Sequence, residues 1–171
     1  MRAPLAVLSL LVLPALASSQ SPTADAFRNE TARAGKNLVA AAEVMPADKY
    51  FFKPTPAQMS FADIVLHLSG GNDALCGQIG GVKAPERSKL TAASGKEALV
   101  ARLKETFKFC DDAIAKLTDA NLGEHMTIFG MPLTRAGAMM VAADDWGDHY
   151  SQSAIYLRLN GLLPPTAKPS K

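Results

Sequence analysis

Several features that mark common protein classes are missing from this sequence. No apolar run reaches the 18 or so residues that a membrane-spanning helix needs; the run from Leu5 to Leu16 is shorter. Lysine and arginine (18) nearly balance aspartate and glutamate (16), and no basic stripe with interleaved aromatic residues is present. This balance argues against a nucleic-acid partner. Internal repeats, low-complexity segments and convincing strand-like alternation are also missing, which leaves a single helical domain as the expectation.

Residues 1–19 have the pattern of a secretory signal peptide. Arg2 supplies a positive start, the run from Leu5 to Leu16 is apolar, and small residues around Ala17 precede a polar stretch. No cysteine follows the run, which argues against lipoprotein processing. An uncleaved N-terminal anchor is the alternative interpretation of the same pattern. We therefore expect an exported protein, periplasmic or secreted, without a stable membrane span after cleavage.

Cleavage would leave about 150 residues, which is enough for one domain with one core. We place this domain at residues 20–165. Residues 166–171 follow a Pro-Pro pair, contain a further proline and cannot continue a helix, so we expect a disordered tail there.

The sequence contains two cysteines, Cys76 and Cys110. An even number of cysteines in an exported chain favours a disulfide between them. The alternative is a pair of buried thiols, because free cysteine packs as a small apolar residue. Neither a CxxC spacing nor a neighbouring histidine indicates redox activity, so a structural role is expected.

Apolar residues recur at three- and four-residue spacings in four segments, which predicts four helices. The first helix begins near Ser21 and ends at Pro46. The second begins after Ser60, a suitable N-cap, with Asp63 in the position of a capping-box acid. The pair Gly70-Gly71 in its middle permits either the close approach of another helix or a local kink.

The second helix is predicted to end at Gly80-Gly81. The run Ser94-Gly95-Lys96-Glu97 repeats the capping-box pattern and predicts the start of the third helix. The fourth should begin after a cap at Thr134 and run to about Leu159. The preceding loop holds Met126–Met131, which could form a short extended turn. Four such helices predict an all-α four-helix bundle, although its long connections leave the order of the helices open.

The last helix carries the most informative pair of polar residues. Asp145 and His149 are four residues apart, so both side chains leave the same helix face. His67 lies on the second helix, and the three groups could meet on one ion if the two helices pack together. Such a set suits Zn²⁺ or Ni²⁺, with Fe²⁺ or Mn²⁺ as alternatives, and leaves a position for water or substrate. The alternative is an ordinary helix histidine beside a solvated Asp–His pair.

Other polar residues near these positions have simpler interpretations. His125 follows a loop and has no partner at helical spacing, so we expect it at the surface. Asp148 points about 100° away from the candidate face, which predicts a supporting or solvated group. The same argument applies to Asp144. Gln152 could support the site or lie at the helix surface, and Trp146 is expected in the core.

Three stretches of the sequence together resemble the DinB/YfiT-like family of metalloenzymes. They are Phe61-Ala62-Asp63-Ile64-Val65-Leu66-His67-Leu68, His149-Tyr150-Ser151-Gln152, and Tyr156-Leu157-Arg158-Leu159-Asn160-Gly161-Leu162-Leu163-Pro164-Pro165. The resemblance implies a bundle of up-down-down-up topology, often dimeric. It also implies a divalent metal held by one histidine of the second helix and a His-x-x-x-His pair of the fourth.

Carried over to this chain, the metal ligands implied by the resemblance are His67, Asp145 and His149. Asp145 stands where the family more often has histidine, which adds negative charge and favours harder ions. The family's His-Arg-Gly-Gln motif appears here with Tyr150 in place of the arginine. Any role of that arginine is therefore missing.

Three hypotheses about function follow from these observations. The resemblance implies a thiol-dependent transferase acting on a small electrophile, or a hydrolytic variant that uses metal-bound water. The export signal, Asp145 and the missing arginine also fit a non-catalytic periplasmic protein that binds a metal or small ligand. A structural bundle with a vestigial site is the third hypothesis. A homodimer is expected from the resemblance alone.

Overall fold

The computed structural model describes residues 21–167, and it forms the predicted four-helix bundle. The helices are α1 (Pro22–Val44), α2 (Phe61–Gly80), α3 (Lys96–Ile114) and α4 (Arg135–Leu159). No helix among the described residues is both long and apolar enough to cross a membrane. The predicted signal peptide lies outside the described residues, as does most of the predicted tail.

The predicted caps are confirmed for two helices and wrong for a third. Ser60 and Asp63 form a reciprocal capping box at the start of α2. The Thr134 hydroxyl accepts the Gly137 N–H at the start of α4. Ser94 does not cap α3, because its hydroxyl instead accepts the backbone N–H of Thr91 in the preceding turn. The residue before α3 is Gly95, with a φ of 89° that favours glycine.

A β-hairpin joins α3 to α4, where the sequence had indicated only a short extended turn. Strands β1 (His125–Ile128) and β2 (Met131–Thr134) pair antiparallel, with Ile128 opposite Met131. Phe129 and Gly130 form the turn, and both have positive φ, which suits the twist of a two-residue hairpin. Each strand has four residues, too few for alternation to be recognised with certainty in the sequence. Buried Ile128 attaches the hairpin to the core.

Residue pairs between α2 and α3 show that these two helices run parallel. The Asn72 amide donates to the Thr106 hydroxyl, and one turn further along both helices Cys76 lies beside Cys110. By contrast, α2 and α4 are antiparallel. Phe61 at the start of α2 packs near Tyr156 late in α4.

Helix α1 is antiparallel to α3. Asp119, just after α3, bonds to Ala24 at the start of α1, whereas Lys96 at the start of α3 bonds to the Glu43 carbonyl near the end of α1. The directions are therefore up, down, down and up, and the topology implied by the family resemblance is confirmed.

Cys76 and Cys110 form a disulfide between the parallel helices α2 and α3. Both residues are fully buried, and their Cα atoms are 5.0 Å apart. This agrees with the expected pairing and favours the disulfide over two buried thiols. The bond constrains the ends of a loop that would otherwise be free in the unfolded chain.

A buried polar bridge ties three helices together beside the disulfide. The indole N–H of Trp146 donates to Asn72 Oδ1 at 2.8 Å, and Asn72 Nδ2 donates to Thr106 Oγ1 at 3.1 Å. All three residues are almost fully buried. The predicted core position of Trp146 is confirmed. Because the bridge joins α2 to α4, it also sets their register next to Asp145.

Candidate metal centre

The antiparallel packing of α2 against α4 brings the three predicted site residues together. Asp145 Oδ1 lies 3.4 Å from His149 Nε2 and 3.8 Å from His67 Nε2. The imidazole rings of the two histidines have centroids 4.8 Å apart at an angle of 62°. One ligand atom from each residue can be chosen so that all three lie within 4.8 Å of one another.

These distances suit a single transition-metal ion. Metal–nitrogen and metal–oxygen bonds of about 2.1 Å at tetrahedral angles place neighbouring ligand atoms about 3.4 Å apart. The separation between Asp145 and His149 has this value, and the separation of His67 from Asp145 is only slightly longer. Two imidazoles and one carboxylate form a set that binds Zn²⁺, Ni²⁺, Fe²⁺ or Mn²⁺. The residues present therefore fit a divalent metal.

The three side chains of the site differ in their exposure to solvent. The His149 side chain is 9% exposed, that of Asp145 is 25% exposed and that of His67 is 51% exposed. On α2, Gly71 faces the carboxylate, and a Cβ added there would be 3.8 Å from Asp145 Oδ2. Any ion held by the three groups would therefore have one side open toward solvent.

The surroundings of His149 favour its protonated form when no metal is bound. The side-chain hydrogen bond with Asp145 raises the pKa of His149, against the lowering effect of burial. The negative charge of Asp145, the hydrogen bond with Gln152 and the charge of Asp148 also raise the pKa. A metal ion must therefore displace a proton to bind the imidazole nitrogen.

Gln152 supports the site, which the sequence had left undecided. Its Oε1 lies 3.3 Å from His149 Nδ1, and its Nε2 donates to Asp148 Oδ2 at 2.7 Å. Asp148 therefore acts on the site through its charge and through Gln152, without a hydrogen bond to His149. Spacings of three and four residues on one helix were the available signal, but many polar helix residues share them.

The remaining predicted residues lie outside the cluster. His125 is exposed on β1, opposite Thr134, as expected for a surface histidine. Asp63 serves in the capping box of α2. The Tyr150 hydroxyl donates to Thr166 Oγ1 and accepts the Thr166 N–H, so it holds the first residue of the predicted tail.

The fold and the cluster define a class: a four-helix bundle with a His–Asp–His group between its second and fourth helices. The chain belongs to the DinB superfamily, whose family model matches residues 30–153. No functionally curated protein matches the chain.

Solved structures with the same fold come from several bacteria. A DinB-like protein from Bacillus subtilis is 20% identical, with a TM-score of 0.68 over 85% of this chain and 99% of the other. A DinB-like protein from Bacillus cereus is 14% identical, with a TM-score of 0.71 over 88% and 99% of the two chains. A conserved protein from Enterococcus faecalis is 15% identical, with a TM-score of 0.65 over 82% and 97%. At these identities the likeness concerns the fold.

Proposed function

We propose that this protein holds a divalent metal ion through His67, Asp145 and His149 and uses its open side to act on a small electrophile. The observation that carries this proposal is the convergence of three ligand atoms, from two facing helices, within 4.8 Å. Zn²⁺ and Ni²⁺ are the favoured ions because two of the three ligands are imidazoles, and Fe²⁺ and Mn²⁺ are the alternatives.

The reaction class follows from the number and exposure of the ligands. Three protein ligands leave at least one coordination position for an exchangeable molecule. When bound, the ion would lower the pKa of a thiol or water molecule next to it and so supply a nucleophile. Half-exposed His67 lies on the solvent side, where the electrophile would enter, and buried His149 holds the inner side. We therefore propose thiol transfer or hydrolysis.

Export is part of the same proposal. The signal-peptide pattern of residues 1–19 predicts it, and the Cys76–Cys110 disulfide supports it because structural disulfides persist in oxidising compartments. Sequencing the N-terminus of protein from its own host tests this part. Recovery of the intact first residues from the cytoplasm would contradict it.

Metal analysis of protein purified without a polyhistidine tag tests the site. We expect one divalent ion per chain, and we expect His149→Ala and Asp145→Ala to lose it while remaining folded. The chain offers a matched control for each change: His125→Ala removes an exposed histidine on β1, and Asp144→Ala removes the exposed neighbour of Asp145. Both controls should keep the ion. Metal-free wild-type protein that cannot be loaded, or site variants that bind like the controls, would overturn the proposal.

A non-catalytic metal-binding protein is the second candidate. The exposure of His67 favours it, because an enzyme of this kind gains from a site that excludes water, whereas a binder does not need one. Incubation of metal-loaded protein with a panel of small electrophiles, with and without low-molecular-weight thiols, separates the two functions. Turnover that disappears in His149→Ala indicates an enzyme. Metal binding without turnover across the panel indicates a binder.

A further inference from the structure

Three polar side chains on α4 form a series of hydrogen bonds that runs from Asp148 through Gln152 to His149. Asp148 Oδ2 accepts the Gln152 Nε2–H at 2.7 Å, and Gln152 Oε1 lies 3.3 Å from His149 Nδ1. The three residues are related by spacings of three and four along one helix, so the series does not depend on α2. Among the described residues, neither Asp148 nor Gln152 forms a side-chain hydrogen bond with Asp145 or His67.

The chemistry of the three groups determines which of them donates and which accepts in each hydrogen bond. An ionised carboxylate can only accept hydrogen bonds, so Asp148 must face the NH₂ end of the Gln152 amide. The amide oxygen then faces His149, and it too can only accept. A hydrogen bond between Gln152 and His149 therefore needs a proton on His149 Nδ1. In the metal-free protein the Asp145 carboxylate, which also only accepts, competes for the ring proton from the Nε2 side. When a metal ion binds Nε2, the ring proton lies on Nδ1, where Gln152 accepts it.

His67 has no comparable support in the part of the chain that the structure describes. Its one polar contact there is the 3.8 Å approach of Nε2 to Asp145, and its side chain is half exposed. The site thus combines His149, whose Nδ1 has a side-chain partner, with His67, whose Nδ1 has none among the described residues. Less free energy is therefore needed to orient the imidazole for metal binding at His149 than at His67.

The geometry points to Gln152, fixed by Asp148, as a positioning residue that presets His149 to bind a divalent ion through Nε2. This inference rests on the proposed metal-binding function and adds the residues that prepare its inner ligand. Removing the support should weaken metal binding roughly 10- to 100-fold without removing a ligand, as for other partners of metal-bound histidines.

The test compares four variants with wild-type protein. Gln152→Ala removes the support. Gln152→Glu keeps an acceptor for His149 but places it beside the Asp148 carboxylate, and Asp148→Asn combined with Gln152→Glu restores a donor–acceptor chain with the roles exchanged. Ser151→Ala is the control, because this exposed hydroxyl bonds only to the Gly147 carbonyl on the same helix. Zn²⁺ affinity is measured by competition with a chelator. The tautomer of His149 is read from ring ¹⁵N shifts of metal-free protein at alkaline pH, with Asp145→Ala added to every sample so that the competing carboxylate beside Nε2 is absent.

We expect wild-type and Ser151→Ala proteins to bind Zn²⁺ equally and, once Asp145 is replaced by alanine, both to carry the His149 proton on Nδ1. Gln152→Ala should populate both tautomers and lose roughly 10- to 100-fold in affinity. Relative to Gln152→Ala, Gln152→Glu alone should recover little of the lost Zn²⁺ affinity. Gln152→Glu combined with Asp148→Asn should recover most of it. A purely structural role for Gln152 would leave the tautomer unchanged.

The two readouts separate the positioning role from the metal site itself. Tight Zn²⁺ binding with no effect of Gln152→Ala on tautomer or affinity overturns the positioning role and leaves the metal site intact. A folded double variant that fails to recover affinity also overturns it. A tautomer that shifts in Gln152→Ala while no variant binds Zn²⁺ overturns the metal site and leaves the positioning of His149 standing.

Discussion

The carboxylate of Asp119 accepts the backbone N–H of Ala24 at 2.8 Å, across 95 residues of sequence. The same carboxylate accepts the Thr23 N–H at 3.1 Å, whereas Ser21, the residue before α1, makes no side-chain cap. Asp119 therefore caps α1 from the turn that follows the C-terminus of α3. This bond closes the antiparallel pair of helices and satisfies N–H groups that have no partner within the helix.

Replacing Asp119 by alanine should destabilise the protein, because two N–H groups at the start of α1 lose their acceptor and a negative charge leaves the helix N-terminus. Thermal unfolding followed by circular dichroism measures the change. Asp112→Ala is the control, since this aspartate forms only an exposed ion pair with Lys108. The cap assignment would be wrong if the two variants had equal midpoints.

Removal of the disulfide should cost about 4 kcal/mol of unfolding free energy, by the loop-entropy relation for two cysteines 34 residues apart. The double change of Cys76 and Cys110 to alanine tests this in urea. Wild-type protein treated with reductant after unfolding provides a second measure without a change of side chain. A loss below about 1 kcal/mol would contradict the estimate.

Two glycines of α2 should respond in opposite ways to alanine. A Cβ at Gly80 would overlap the backbone carbonyl of Ala113 on α3, so Gly80→Ala should destabilise strongly. Nothing lies within 4 Å of a Cβ at Gly70, so Gly70→Ala should stabilise by roughly 0.5–1 kcal/mol through helix propensity. Chemical denaturation of both variants checks the pair. Equal effects would mean that α2 and α3 are not in close contact at Gly80.

The raised pKa of His149 makes the stability of the metal-free protein depend on pH. The protonated ring bonds to Asp145, so its folded pKa lies above the unfolded value of about 6.5. This contribution is complete below about pH 6.5 and is lost as pH rises through the folded pKa. Urea unfolding with a chelator present, from about pH 5.5 to 9, should show the decline. Asp145→Asn should flatten it relative to wild type.

Metal affinity should change with pH in the opposite direction. Because a bound ion displaces the proton of His149, Zn²⁺ binding should strengthen as pH rises through the same range. Competition titrations at matched ionic strength measure this dependence. A pH-independent affinity would mean that His149 Nε2 is not a ligand.

The periodic and local signals of the sequence determined the four helices, the Ser60 and Thr134 caps, and the pairing of Asp145 with His149 on one face. These features depend on residues three or four positions apart, so their geometry follows from the helix itself. The resemblance to a known family added the topology. It also strengthened the association of His67 with that pair, which the residues alone had suggested on the condition that the second and fourth helices pack together.

Only the tertiary structure decided which distant groups meet. The cap that Asp119 provides to α1, the close approach of Gly80 to Ala113, and the exposure of His67 depend on how separate helices pack. The hairpin before α4 is stabilised by pairing and by burial of Ile128, which four-residue strands do not reveal in isolation. Local propensity specifies an element, whereas contacts between elements depend on the packing of the whole core, and no short sequence window contains that information.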